Sequence, residues 1–289
     1  PDGVLRPDDF ILIKANWEPK SENILTIAKE MNILPESLVF VDDNPAEREI
    51  VRTHAEGVSV PEIGSPEQYI RILDHNGYFE VTSLSEDDRK RNEMYKANAQ
   101  RAAQQASFTD YGAYLKSLQM KAVIRPFEAL YMARIAQLTN KSNQFNLTTK
   151  RYTQAQIEEA AQNPACITLY GKLEDKFGDN GVVTVLIGHE ESKNEERQAL
   201  HLDLWLMSCR VLKRNMEYAM MDVLVEKCVE RGIRTIYGYY YPTAKNGMVR
   251  DFYGLQGFEK LRENEKETVW RFEIPENYEK KNHYIETLK

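Results

Sequence analysis

The feature that most constrains this chain is a change of period within His201–Gly232, HLDLWLMSCRVLKRNMEYAMMDVLVEKCVERG. Leu202, Leu204 and Leu206 recur every second residue, the period of a half-buried strand. Met216, Ala219, Met220, Val223, Leu224 and Cys228 then recur three and four apart, the period of one helix face. Ser208-Cys209-Arg210 stands at the junction, where strand must turn into helix. The first turn of a helix leaves N–H groups unpaired and attracts anions. A thiol held there beside an arginine has its thiolate favoured, so Cys209 is expected to be reactive.

With 289 residues the chain can form one large or two medium domains. Acidic residues outnumber basic ones 45 to 38, a net charge of −7 that argues against a nucleic-acid partner. Three cysteines, Cys166, Cys209 and Cys228, are too few and too unevenly placed for a disulfide framework or a zinc site. A reduced, cytoplasmic setting is expected. Apolar runs such as Val182–Ile187 fall far short of a bilayer span, and no membrane partner is expected. The chain opens at Pro1 without a methionine and shows no signal peptide, so an upstream segment is expected.

Residues 1–80 alternate helix and strand, the mark of an α/β layer fold. Pro19 opens a helix whose apolar face holds Ile24, Leu25, Ile27, Ala28 and Met31. Leu38–Val41 is a continuous apolar run of the kind buried in a parallel sheet, and Gly57–Val60 is a second short strand. A polar connector, 81–118, follows; Ser85-Glu86-Asp87-Asp88 reads as its capping box. From 119 to 275 the pattern is α+β. It has strands near 120–127, 166–173, 182–188, 200–207 and 233–240, with helices at 128–138, 153–162, 214–231 and 246–255. Thr153-x-x-Gln156 caps the second of these helices, Asp179-Asn180-Gly181 is a hairpin turn, and 276–289 is a charged, peripheral tail.

Two stretches carry chemistry. Asp42 and Asp43 follow the apolar run 38–41, and paired carboxylates at a strand end suit Mg²⁺. The alternative is that Asp43 or Asn44 caps the next helix with Pro45 at its first position. Lys20 can reach a phosphate at the same sheet edge. The loop Asn140–Asn146 supplies amide donors, among them Asn143 and Asn146, for an oxyanion or a polyhydroxyl substrate.

Asn16-Trp17-Glu18-Pro19-Lys20 with Val39-Phe40-Val41-Asp42-Asp43-Asn44-Pro45-Ala46-Glu47-Arg48 resembles the haloacid-dehalogenase superfamily, and more narrowly its FkbH-like subfamily IIIC. The likeness continues through Asn140–Thr149, Phe177–Gly181, Ser208-Cys209-Arg210 and Pro242–Asn246, so it covers nearly the whole chain. It implies that Lys20 stabilises phosphate and that Asp42 and Asp43 bind metal. The superfamily's Asp-x-Asp-x-Thr nucleophile stretch is absent; Asp8-Asp9 has the wrong spacing and Asp203 lies in the wrong domain. Residues 1–80 therefore resemble the back half of a Rossmann-like phosphate-handling module, with its Mg²⁺ site incomplete.

The second half is similar in element order to the GCN5-related acyltransferase fold. Asn246, Phe252-Tyr253 and Gly257-Phe258 resemble its late motif. That motif implies an Asn touching the pantetheine arm and a Tyr protonating the leaving thiolate. The family's Arg-x-x-Gly-x-Gly turn reads Arg210-Val211-Leu212-Lys213-Arg214-Asn215, with both glycines replaced. Side chains there should crowd a nucleotide diphosphate, whereas a carrier protein's phosphopantetheine has a single phosphate. Lys213 and Arg214 could then meet an acidic carrier.

The resemblance thus implies a glyceryl group, from a small phosphorylated three-carbon acid, loaded onto an acyl carrier protein. Cys209 would be the covalent way-station and Tyr253 an acid. Two rivals are an acyltransferase acting on a sugar or amine in polysaccharide synthesis, and a carrier-docking module without turnover.

Overall fold

The computed structural model describes residues 4–31, 33–80, 90–192 and 198–288. The chain divides into two compact units, Pro1–Ala103 and Gln104–Lys289. Among the described residues no helix is long and apolar enough to cross a membrane.

The first unit contains helices α1 (Lys20–Met31), α2 (Pro45–His54) and α3 (Tyr69–His75), and most of α4 (Arg91–Ala106). Pro19 lies directly before α1, and its carbonyl accepts the N–H groups of Glu22 and Asn23. Asn44, rather than Asp43, caps α2: its side chain accepts the Ala46 N–H at 2.9 Å, with Pro45 at the first helical position. The run Leu38–Val41 differs from the expected buried strand. It forms a single parallel bridge, Val39 to Ser59, and Val39 and Val41 are 38% and 41% exposed. A parallel strand is covered on both faces only inside a sheet, and here one short neighbour pairs with it. Among the described residues, Ile24, Val51 and Ala55 form a buried cluster in this unit, backed by half-buried Leu38, Phe40, Val58 and Val60. The expected capping box at Ser85 lies outside the described residues.

The second unit is an eight-stranded mixed sheet between helical layers. Its strands are β1 (Met120–Arg125), β2 (Cys166–Asp175), β3 (Gly178–Ser192), β4 (Gln198–Met207), β5 (Thr235–Tyr240), β6 (Glu259–Glu263), β7 (Thr268–Glu273) and β8 (Ile285–Leu288). They run in the order β6-β7-β5-β4-β3-β2-β1-β8. Pairing is antiparallel except for β4 with β5 and β1 with β8. The helices are α5 (Tyr111–Ser117), α6 (Met132–Lys141), α7 (Gln154–Gln162), α8 (Met216–Glu230) and α9 (Phe252–Leu255). Thr153 and Gln156 form the expected reciprocal cap of α7.

One face of the sheet packs Leu200, Leu202, Trp205 and Met207 against Met216, Ala219, Met220 and Leu224 of α8. The other packs Leu204 and Leu206 against Met132, Ile135 and Leu138 of α6 and Ile157 of α7. β4 is therefore buried on both faces rather than half-buried. Helices cover both sides of the sheet, and an extra residue at Asp203 divides the leucines between them: the β3 register steps from Ile187 opposite Leu204 to Gly188 opposite Leu202. Such a bulge shifts every later side chain to the opposite face. Each leucine so enclosed contributes about 1.5–3 kcal/mol, which makes β4 the spine of the unit.

Three further boundaries differ from the sequence reading. Tyr114, Leu115 and Leu118 are buried in the main core, so 104–118 belongs to the second unit rather than to a free connector. Asp179-Asn180-Gly181 lies inside β3; the hairpin turns at Lys176-Phe177, and Asn180 is buried, donating to the Leu173 carbonyl at 3.2 Å. The 276–289 stretch is structural: Ile285 is buried, β8 extends the sheet beside β1, and Tyr278 and Tyr284 pack on the core.

Candidate functional site

In the first unit, Lys20 and Asp42 come together. The Lys20 Nζ lies 2.5 Å from Asp42 Oδ2, and Asp42 Oδ1 accepts the Asn44 N–H at 2.9 Å. Buried Arg48 donates to the carbonyls of Asp42 at 2.9 Å and Asp43 at 3.2 Å, fixing the strand end. Burial alone would raise the Asp42 carboxyl, but the bonds from Lys20 and Asn44 hold it below the usual range. The bond to Asp42 in turn raises Lys20. The pair thus neutralises itself, and a phosphate would have to displace Asp42 from Lys20. Asp43 is exposed. With both Asp42 oxygens already engaged, and no group of three metal-ligating side chains among the described residues, this arrangement does not fit Mg²⁺ unaided.

In the second unit, Cys209 is partly exposed but not in the first turn of α8. It lies in a three-residue 3₁₀ turn, Cys209–Val211, and α8 begins only at Met216, so the expected effect of that helix end on the thiol does not apply. Arg210 donates through Nε to Ser208 Oγ at 3.2 Å. The turn itself holds Lys213 at φ +64° and Asn215 at φ +63°. These are the two positions where the resembled family has glycine, and they keep the left-handed backbone that glycine adopts without cost. The glycines are gone but the shape they serve is retained. Lys213 is exposed, whereas Arg214 is consumed inside the protein by Asp175 at 3.2 Å, so Arg214 does not meet a carrier.

β4 and β5 pair only from Ala199 to His201 and from Thr235 to Tyr237, then separate. The chain fills the gap with its own segment 145–147. Met207 N–H donates to the Phe145 carbonyl at 3.0 Å, Leu147 N–H to Trp205 at 3.1 Å, and Tyr241 N–H to Leu147 at 2.9 Å. Asn146 and Asn246 are both completely buried and serve this stitch. Asn246 Nδ2 donates to the carbonyls of Asn146 at 3.0 Å and Tyr241 at 2.9 Å, and its Oδ1 accepts from Thr243 N–H at 2.7 Å. Asn146 Oδ1 accepts the Thr149 N–H at 2.9 Å. Asn143 accepts from Arg151. The amides expected to meet substrate are occupied in holding this loop.

Tyr253 lies in the core, fully buried among Trp205, Phe252, Phe258 and Trp270. Its hydroxyl makes no well-formed hydrogen bond; burial pushes the phenol far up, against a smaller opposing effect of the Tyr239 backbone. A group so enclosed does not deliver a proton in this conformation, which corrects its assignment as an acid. Tyr253→Phe is expected to change the urea midpoint by the equivalent of at most about 1 kcal/mol, since it removes no formed bond. A larger loss would reveal a partner for the hydroxyl.

One cluster was not singled out from the sequence. His189 Nδ1 lies 2.5 Å from Asp203 Oδ2, and Lys150 Nζ lies 2.7 Å from Asp203 Oδ1. His201 Nδ1 lies 2.6 Å from the Tyr239 hydroxyl, and its Nε2 3.0 Å from Glu191 Oε2. The rings of His189, His201 and Tyr237 stack in sequence at 5.3 and 4.8 Å. The available signal was parity: His201 and Asp203 interrupt an apolar strand on one face. The bulge that aims Asp203 was not readable.

No family model matches this chain, and no curated protein does. Among solved structures, it is similar to an acetyltransferase of the GNAT family from Streptococcus pneumoniae: 13% identity, TM-score 0.40, covering 54% of this chain and 100% of that one. It is also similar to Arabidopsis thaliana NAA60 in complex with acetyl-CoA: 13% identity, TM-score 0.43, 53% and 99%. A further match is the N-terminal part of a Bacteroides fragilis protein containing a phosphatase domain, complexed with Mg: 46% identity, TM-score 0.27, covering 29% of this chain and 23% of that one.

Proposed function

We propose that this chain is an acyltransferase working through a phosphopantetheine thioester, with the arm borne on an acidic carrier protein. The observation that carries the reading is the turn before α8. Its left-handed backbone at Lys213 and Asn215 is a shape that receives anions, and Lys213 adds an exposed charge beside it. The two side chains leave room for one phosphate more readily than for a nucleotide diphosphate. In its finer form the reaction loads a glyceryl group, from a small phosphorylated three-carbon acid, onto the carrier's thiol. The Lys20–Asp42 pair would meet the phosphate, and partly exposed Cys209 would carry the acyl group. Mg²⁺ would enter that edge only with further ligands. A second reading, transfer to an amine or sugar, is favoured by the His189–Asp203 pair.

The test compares a phosphopantetheine-bearing carrier protein with coenzyme A as the thiol that receives the acyl group, at low salt. Lys213→Glu is expected to lower kcat/KM for the carrier at least tenfold, because a cation that meets an anionic partner becomes an anion. Equal rates for the two charges at 213 would overturn the docking role. Intact mass after incubation with 1,3-bisphosphoglycerate tests the finer form: a glyceryl adduct is expected and should vanish in Cys209→Ala.

A further inference from the structure

We propose that the surface around the turn before α8 is the face on which the carrier protein's body docks, with Lys176 and Lys213 as its cations and Phe108 and Tyr111 as its aromatic part. The inference rests on the phosphopantetheine reading and deepens it by placing the partner. The phosphate of such an arm is its joint to the carrier: one ester oxygen belongs to the arm and another to a carrier side chain. A phosphate received at the turn of Lys213 and Asn215 therefore brings the carrier's own surface to that turn. Whatever surrounds the turn must meet it.

Three hydrogen bonds lock these surroundings into one platform. The Tyr111 hydroxyl of α5 donates to the Lys213 carbonyl at 2.5 Å. Arg214 Nη1 donates to Asp175 Oδ2 at 3.2 Å, tying the turn to the β2–β3 hairpin. In that hairpin the Lys176 N–H donates to the carbonyl of Leu118, just past α5, at 3.1 Å. Each of the three elements is thus joined to the other two, and little ordering is left for a partner to impose. The residue after Asp175 and the residue before Arg214 are exposed lysines, Lys176 and Lys213. The Lys176 ammonium rests over the Phe177 ring, 5.2 Å from its centroid. Phe108 and Tyr111 are 36% and 41% exposed and flank buried Tyr114, at ring distances of 6.0 and 5.6 Å.

The acids on these elements are engaged or enclosed. Asp110 accepts the Gly112 and Ala113 N–H groups that open α5, and Asp175 is enclosed with Arg214. Glu217, in the first turn of α8, has its Oε2 sealed from water, and burial favours its neutral form. On the hairpin, Glu174 stands across from Lys121, and Asp179 lies 3.7 Å from Lys172. Neither the Lys176 nor the Lys213 ammonium is in an ion pair among the described residues. Two unpaired cations beside exposed aromatic rings, on a chain of net charge −7, are complementary to an acidic protein surface with an apolar spot. Coenzyme A has no protein body, so Lys176 and Phe108 add nothing to its binding.

The test measures, by calorimetry at low salt, the binding of an acidic phosphopantetheine-bearing carrier protein and of coenzyme A. Lys176→Glu should raise the Kd for the carrier about tenfold and leave that for coenzyme A unchanged. Lys176→Arg, which keeps the charge, should bind the carrier as wild type does. At high salt the Lys176→Glu effect should largely vanish, because exposed charges are then screened. Phe108→Ala should weaken the carrier about fivefold at either salt concentration, since it removes contact area and no charge. Lys227→Glu, in the last turn of α8, makes the same change in net charge and should leave the carrier's Kd unchanged. Equal weakening by Lys227→Glu and Lys176→Glu overturns the docking face, because the carrier then answers only to net charge. An unchanged carrier Kd in Lys176→Glu overturns it too, as does equal weakening of carrier and coenzyme A. Binding of coenzyme A without the carrier overturns the docking face and leaves the turn as an anion site. Binding of neither defeats the phosphopantetheine reading itself, and this proposal with it.

Discussion

Replacing Arg214 with alanine is expected to lower the unfolding free energy by about 3–5 kcal/mol in urea titrations. Arg214 has an 8% exposed side chain and pairs with Asp175, whose side chain is fully enclosed. The same guanidinium reaches Asn180 Oδ1 at 3.4 Å and the Arg210 carbonyl at 2.8 Å. It therefore joins the hairpin between β2 and β3 to the turn before α8. Alanine leaves Asp175 without the arginine it pairs with, and the bond it accepts from the Phe177 N–H at 2.9 Å does not replace an opposite charge. Removing one member of a buried pair is costly because the survivor stays desolvated, while removing both is often tolerated. Arg214→Met combined with Asp175→Leu should accordingly recover most of the loss. A deficit below about 1 kcal/mol in the single variant would mean that water reaches Asp175 and that the pair does not anchor the turn.

Asp222→Ala should cost about 3 kcal/mol, because one carboxylate holds the C-terminal segment to α8. Buried Asp222 accepts the Tyr278 hydroxyl at 2.8 Å and the N–H groups of Lys281 at 2.9 Å and Asn282 at 3.0 Å. Burial, and then the carboxylate beside it, push the Tyr278 phenol up, so it remains a donor. Alanine strands three donors at once, although the segment can recover some hydration by peeling away. Asp222→Asn keeps one acceptor oxygen and should lose about half as much. Trypsin should cut near Lys280 and Lys281 faster in Asp222→Ala than in wild type. An unchanged cleavage rate together with an unchanged urea midpoint would show that β8 stays docked without this carboxylate.

The period change at His201–Gly232 identified strand and helix correctly, because apolar spacing is a local property that follows directly from backbone geometry. The same locality made the Thr153–Gln156 cap and the Pro19 helix start legible. The resemblance to the acyltransferase turn marked Lys213 and Asn215 as replaced glycines, but not that both retain the left-handed backbone. Everything that depended on a distant partner required the tertiary structure. The 276–289 stretch looks peripheral because its charges are visible in sequence, whereas Asp222, some sixty residues earlier, is what fixes it. Tyr253 looked available because its motif is local, yet its burial is set by Trp205 and Trp270 from two strands. His189 and Asp203 lie on different strands, and a single inserted residue in β4 brings them to 2.5 Å. The sequence determined the elements, since propensity and periodicity act within a few residues. Register, burial and the pairing of titratable groups were decided by the tertiary structure, since they are properties of strands that meet only after folding.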